Sequence, residues 1–185
     1  GSLEIQKFRF YLLQDYVYLF DYAKVFAQGV VKSRDPEVMR MFASSVANIL
    51  GGEMNIHRGY MKRLGITEED AERVKPSLPN SSYTAYMRAV AAEEGPAEIM
   101  AAVLSCALSY EYIAKWIVSN YPNADTGLCL RRLRRREPPP HRIYGAAGRT
   151  LYRAATRASH RHFCRLLALR GYVLGNGMER GTVNA

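Results

Sequence analysis

The sequence predicts an all-α fold, a bundle of helices with antiparallel neighbours, and three observations carry that expectation. Apolar residues recur at spacings of three and four through most of the first 122 residues, the signature of a helix with one buried face. Caps and breakers, Asp35-Pro36, Gly65, Pro76 to Ser82 and Gly95-Pro96, separate these stripes. No stretch of this body alternates apolar and polar residues as a half-buried strand would.

The first helix is expected over Ile5 to Val31, where Phe8, Tyr11, Leu12, Asp15, Tyr18 and Leu19 share one face and Gly29 falls near the end. Asp35-Pro36 then gives a cap followed by Pro at the first helical position. Val38, Met41, Phe42, Val46, Ile49 and Leu50 form the next stripe, which runs on to Leu64 with Gly51-Gly52 as a bend. Gly65 is placed to end it. Thr67 opens a short helix whose first turn is acidic, where the helix dipole favours negative charge. Pro76 to Ser82 is expected to be a loop, and Tyr83 to Glu93 a helix. After Gly95, Pro96 to Ser119 reads as a long buried helix, since Ile99, Val103, Leu104, Ala107, Leu108, Tyr112 and Ile113 spread widely around its wheel. Pro122 ends it.

Composition narrows the functional classes. Hydrophobic residues make up 48% and charged residues 23%, a globular balance. No apolar run approaches the ~20 residues of a membrane span, and no signal peptide is visible. The 3 cysteines, Cys106, Cys129 and Cys164, are odd in number and far apart, which argues against a disulfide framework and for a reducing compartment. The chain opens on Gly1-Ser2 without an initiator Met, so these residues are expected to be a remnant of cloning or internal to a longer product.

The net charge of +9 first points to nucleic acid or a membrane surface, but its distribution does not. Residues 123–185 hold 13 Arg against 3 acidic residues, a net +10, whereas the first 122 hold 13 basic against 14 acidic residues, a net −1. The chain is therefore expected to divide into a helical domain over 3–122 and an Arg-rich, poorly ordered tail over 123–185. The tail has no Lys, a PPP run, an RRLRRR run and scattered Gly. Arg165, Leu166, Leu167 and Leu169 hint at a helix, but Gly171, Gly175, Gly177 and Gly181 follow at once.

Three elements of the body stand out chemically. Gln14-Asp15-Tyr16-Val17-Tyr18 puts a carboxylate among aromatics on one helix; the loop Leu78-Pro79-Asn80-Ser81-Ser82 delivers Tyr83-Thr84 to a helix start; and Cys106 and Tyr110, four apart, share a helical face. Each also has a plain reading: a lone Cys in an apolar helix as a small core residue, Asp15 as an exposed or capping group, and tyrosines as core with locally bonded hydroxyls. His57 reads as a satisfied or exposed histidine, with no second His in the body to make a metal pair. Spacing alone supports only a helical domain.

The combination does more. The run FRFYLLQDYVYLFDYAKVFA (Phe8 to Ala27) resembles the signature helix of the TenA family, SSYTAYM (Ser81 to Met87) its second landmark, and EIMAAVLSCALSYEYIAKW (Glu98 to Trp116) its nucleophile helix, in that order and at fitting separations. The resemblance covers about two thirds of the chain, residues 3–122. It implies a TenA/haem-oxygenase-like helical bundle and a cytoplasmic hydrolase of the thiaminase II type, acting on an aminopyrimidine or on thiamin, with no metal or organic cofactor, assembled as a homotetramer. By the same resemblance Cys106 is the nucleophile, Asp15 the carboxylate that accepts from the amino edge of the pyrimidine, and Tyr18, Tyr83 and Tyr110 the aromatics around the ring.

Two departures follow from that likeness. The family has a further helix before the residues that open this chain, and a last helix with a YExxFW-type motif whose Glu is the general acid. Residues 123–185 as written spell no such motif. With allowed codons for Ser159 through Glu179 read one base later, the segment can spell LTDIFVACSRYEAMFWEMEW, which resembles that last helix; the Glu then falls at the codon read as Arg170. The tail is accordingly expected to be an out-of-frame reading, leaving the bundle incomplete and the chain with little or no hydrolase activity. The competing expectations are a non-catalytic helical module with a genuine basic arm that binds nucleic acid or a regulator, and an oxidase or haem-handling protein on a similar bundle. The neutral body makes nucleic acid an unlikely partner, and a single body His argues against haem.

Overall fold

A computed structural model describes residues 3–120, and every regular element among them is helical. The Arg-rich segment, the shifted-frame motif and the stop at Pro122 lie outside the described residues. Helix α1 (Ile5–Lys32) is followed by α2 (Pro36–Asn48), a π-helical turn (Ile49–Glu53), α3 (Met54–Arg63), a short α4 (Glu68–Glu72), α5 (Leu78–Glu93) and α6 (Pro96–Asn120). Among the described residues no helix is long and apolar enough to cross a membrane.

Helix α1 packs against each of the other elements and so forms the axis of the described bundle. Its buried face is Leu12, Tyr16, Leu19, Tyr22, Ala23, Val25, Phe26 and Gly29, spaced by three and four as the period requires. The closest approach is at Gly29. A Cβ added there would sit 2.4 Å from the Phe42 ring, and Phe42 is 0% exposed, so only a glycine lets α1 and α2 meet at this distance.

The chain ends of the helices follow sequence rules. The Asp35 side chain caps α2, accepting from the backbone N–H groups of Glu37 and Val38 at 2.7 and 3.4 Å. Thr67 and Asp70 form a reciprocal capping box at α4. At the end of α3 the Ile66 N–H donates to the Met61 carbonyl at 2.9 Å and the Gly65 N–H to that of Lys62 at 3.2 Å. This is the Schellman pattern, with Gly65 in the left-handed region (φ 66°) and the apolar pair Met61 and Ile66 buried beneath it.

Two boundaries differ from the sequence expectation. The bend expected at Gly51-Gly52 is a π turn, in which the Met54 N–H reaches back five residues to the Ile49 carbonyl. One extra residue in a turn rotates the following helical face by ~100° relative to an unbroken α-helix. Ile49 and Met54 both stay buried, while Leu50 is exposed. The segment Pro76–Ser82, expected as a loop, is helical from Leu78 onward. Pro79 sits in the first turn, where the missing N–H costs nothing, and the start of the helix is held from outside by Gln14 of α1.

Candidate functional site

Helices α1, α5 and α6 bring aromatic hydroxyls, a thiol and a carboxylate to one region. From α1 come Tyr11, Asp15, Tyr18 and Tyr22, one per turn on a single face. Tyr18 stacks on Tyr22 (ring centroids 5.0 Å apart, 26° between planes) and on Tyr83 of α5 (5.8 Å, 16°). The Tyr83 hydroxyl lies 2.8 Å from Ser105 Oγ, which itself donates to the Ala102 carbonyl at 3.2 Å. Ser105 is 0% exposed and immediately precedes Cys106, so α5 is pinned to α6 beside the thiol.

Cys106 is buried, at 7% exposed. Burial pushes the phenols of Tyr18 and Tyr22 well above their ordinary pKa, and the charge that Cys106 would carry as a thiolate pushes both further in the same direction. The Tyr22 hydroxyl donates to the Val103 carbonyl at 3.2 Å. The Tyr18 hydroxyl is enclosed and, among the described residues, has no nitrogen or oxygen partner; the Cys106 thiol stands beside it. Both phenols are neutral over the physiological range.

Tyr110, one turn beyond Cys106, reaches toward the carboxylate through Tyr11. Its hydroxyl is 3.0 Å from that of Tyr11, which reaches Asp15 Oδ2 at 3.4 Å. Desolvation raises the Tyr110 pKa, followed by the charge of Asp15, with Tyr11 and Cys106 adding to it. Tyr110 thus reaches Asp15 through Tyr11 and shares the α6 face of Cys106, and the five residues singled out from the sequence, Asp15, Tyr18, Tyr83, Cys106 and Tyr110, fall in one cluster.

The sequence reading missed three contributors. His57 of α3, expected to be satisfied or exposed, is satisfied by Asp15 itself: its Nε2 lies 2.8 Å from Asp15 Oδ2 and its Nδ1 2.9 Å from the Glu53 carbonyl. No local pattern links residues 42 apart, and the π turn that sets the face of α3 is invisible to a 3.6-residue count. Tyr22 lay within reach of the period, four residues past Tyr18 and seven past Asp15. Gln14 holds the start of α5, accepting from the Ser77 N–H (2.8 Å) and the Asn80 carboxamide (3.2 Å) through its side chain and donating to the Lys75 carbonyl (3.2 Å). Among the described residues no group of three or more His, Cys, Asp and Glu could hold a metal ion.

A buried thiol, stacked phenols and a histidine-paired carboxylate thus converge from separate helices of an all-helical bundle. The chain belongs to the TENA/THI-4/PQQC family, whose model matches residues 1–167. It is 49% identical over 124 residues to an aminopyrimidine aminohydrolase of Helicobacter pylori, covering 67% of this chain and 57% of that protein. Over 110 residues it is 44% identical to an aminopyrimidine aminohydrolase of Halalkalibacterium halodurans, covering 60% of this chain and 49% of that one. The chain thus spans about half the length of these curated relatives. Among solved structures, the TenA homologue from P. horikoshii OT3 superposes with a TM-score of 0.73 at 24% identity, over 93% of this chain and 84% of that one, a likeness of fold.

Proposed function

We propose that this chain carries the nucleophile half of a thiaminase II-type hydrolase acting on an aminopyrimidine, 4-amino-5-aminomethyl-2-methylpyrimidine or thiamin. The observation that carries the reading is the Tyr110–Tyr11–Asp15 chain of contacts beside the buried Cys106 and the stacked phenols, in a chain 49% identical over 124 residues to an aminopyrimidine aminohydrolase. A flat pyrimidine suits aromatic walls such as Tyr18 and Tyr83. Asp15 accepts from the amino edge of the ring.

Cys106 is the nucleophile. With a ring nitrogen protonated, its thiolate adds to a ring carbon. The bond from the exocyclic methylene to the leaving group then breaks, the electron pair departing with ammonia, or with the thiazole when thiamin is the substrate. Water adds to the methylene, the carbon–sulfur bond breaks to restore the aromatic ring, and a proton is released. The products are the hydroxymethyl pyrimidine and the leaving group. The protonation steps need a general acid. The family resemblance puts it on a last helix whose motif residues 123–185 do not spell in the given frame. We therefore expect this chain to bind aminopyrimidine and turn it over little or not at all, and the tail to be an out-of-frame segment following a domain over 3–122. A cytoplasmic homotetramer is the assembly we expect of the intact enzyme.

The test pairs this chain with a version carrying residues 159–179 in the shifted frame, each with Cys106 and with Cys106→Ser. Turnover in the shifted-frame protein, lost in Cys106→Ser with pyrimidine binding kept, is the expected result. Undiminished turnover in Cys106→Ser would remove the nucleophile assignment.

A further inference from the structure

We propose that His57, as an imidazolium, is the positioning residue for Asp15: it occupies Oδ2 and holds the side chain as a carboxylate whose Oδ1 is offered to the amino group of a pyrimidine. The ligand part of this inference rests on the aminopyrimidine reading above; the pairing itself does not.

The protonation state follows from the partners. The Glu53 carbonyl can only accept, so the Nδ1 that faces it at 2.9 Å carries a hydrogen. Nε2 faces a carboxylate oxygen at 2.8 Å, which also accepts. Two acceptors on two ring nitrogens call for two N–H groups, and hence the cation. The surroundings agree. From α1 the ring meets Asp15 and the Tyr16 ring (6.4 Å, tilted 38°); from the π turn it meets the carbonyl and the negative charge of Glu53. The nearest cation on its own helix, Arg58, turns to Asn55 at 3.1 Å. Burial works against the cation, but the Asp15 and Glu53 bonds and the two negative charges outweigh it, and the His57 pKa is raised.

Geometry also divides the two carboxylate oxygens. His57 and Tyr11 both reach Oδ2, at 2.8 and 3.4 Å. The pair is enclosed, with side chains 13% and 22% exposed, so a charge-assisted bond here fixes the plane of the carboxylate. Oδ1 is thereby aimed by α3 rather than by α1 alone. The π turn is the device that brings a residue of α3 to this position.

The experiment uses the full chain with isotope-labelled histidine. His57 is identified among the 4 histidines by comparison with His57→Gln. Nitrogen shifts should show His57 doubly protonated at pH 7, with a midpoint above ~6.5 that falls in Asp15→Asn. Calorimetry with 4-amino-5-aminomethyl-2-methylpyrimidine, run on the same proteins, should show affinity falling about tenfold as pH rises through that midpoint. In His57→Gln, whose carboxamide still donates to Oδ2, that midpoint should vanish while binding at pH 7 survives; in His57→Leu binding should fall about tenfold at pH 7. The ligand's own amine titrates identically against all these proteins and cancels in the ratios. A neutral His57 at pH 7, a midpoint indifferent to Asp15→Asn, or wild-type affinity in His57→Leu would each overturn the proposal while leaving the aminopyrimidine reading standing. An intact imidazolium pair in a protein that binds no aminopyrimidine at any pH would instead overturn that reading, and the ligand role of Oδ1 with it.

Discussion

The Asn80 carboxamide donates to the backbone carbonyl of Gln14 at 2.8 Å, tying the first turn of α5 to the turn of α1 that carries Asp15. Because Gln14 precedes Asp15 and Asn80 lies three residues before Tyr83, one junction sets the spacing between the carboxylate and the phenol that stacks on Tyr18. The Gln14 side chain adds bonds to Ser77, Asn80 and Lys75.

Gln14→Ala should therefore loosen the start of α5. Three side-chain hydrogen bonds are lost at a half-buried site, and the Ser77 N–H loses its partner. The expected cost is about 1–3 kcal/mol, read as a lower urea midpoint with an unchanged m-value, together with faster amide exchange over residues 77–81.

Tyr83→Phe removes the partner of a fully buried hydroxyl while keeping the ring that stacks on Tyr18. Ser105 Oγ retains its bond to the Ala102 carbonyl, so the loss should be about 1 kcal/mol, measured by denaturant unfolding. The double variant with Ser105→Ala should cost less than the sum of the two single changes, since neither group is then left facing an absent partner.

Glycines of one sequence type should respond oppositely. Gly29→Ala drives a methyl to 2.4 Å from the Phe42 ring, itself in the core, and should cost about 1–3 kcal/mol or more. Gly59→Ala, inside α3 with nothing within 4 Å of the added carbon, should stabilise by about 0.5–1 kcal/mol. Thermal or urea unfolding of the two variants distinguishes them by sign.

The His57–Asp15 pair makes stability depend on pH in a stated direction. The folded pKa of His57 is raised above the ~6.5 of an unfolded histidine. Its contribution is thus complete below ~6.5 and is lost as pH rises through the folded value, where the folded state gives up a proton it had retained. Unfolding midpoints at pH 6 and pH 9 should differ more in the wild-type chain than in His57→Gln. An equal difference in both would mean that other groups carry the dependence.

Much of the fold was legible locally. The stripe of α1, the Asp35 cap, the short helix opened by Thr67 and the Gly65 stop are decided by neighbours within a few residues, and the structure has them where the sequence rules put them. The start of α5 was not, because Pro79 and the Asn and Ser around it read as a loop until Gln14, more than sixty residues earlier, supplies their hydrogen-bond partners. The π turn escaped for a related reason: two glycines signal irregularity but not its kind.

The sequence by itself determined that this is a helical chain, which faces of its helices are apolar, and which thiol, carboxylate and phenols lie on them, because a 3.6-residue period and capping chemistry are local properties. Tertiary structure alone decided that His57 meets Asp15, that Tyr110 stands near both Asp15 and Cys106, and that Gly29 seats Phe42. Those depend on how helices cross and on the one-residue phase shift before α3, and such distances are fixed only when separate apolar faces are buried against one another.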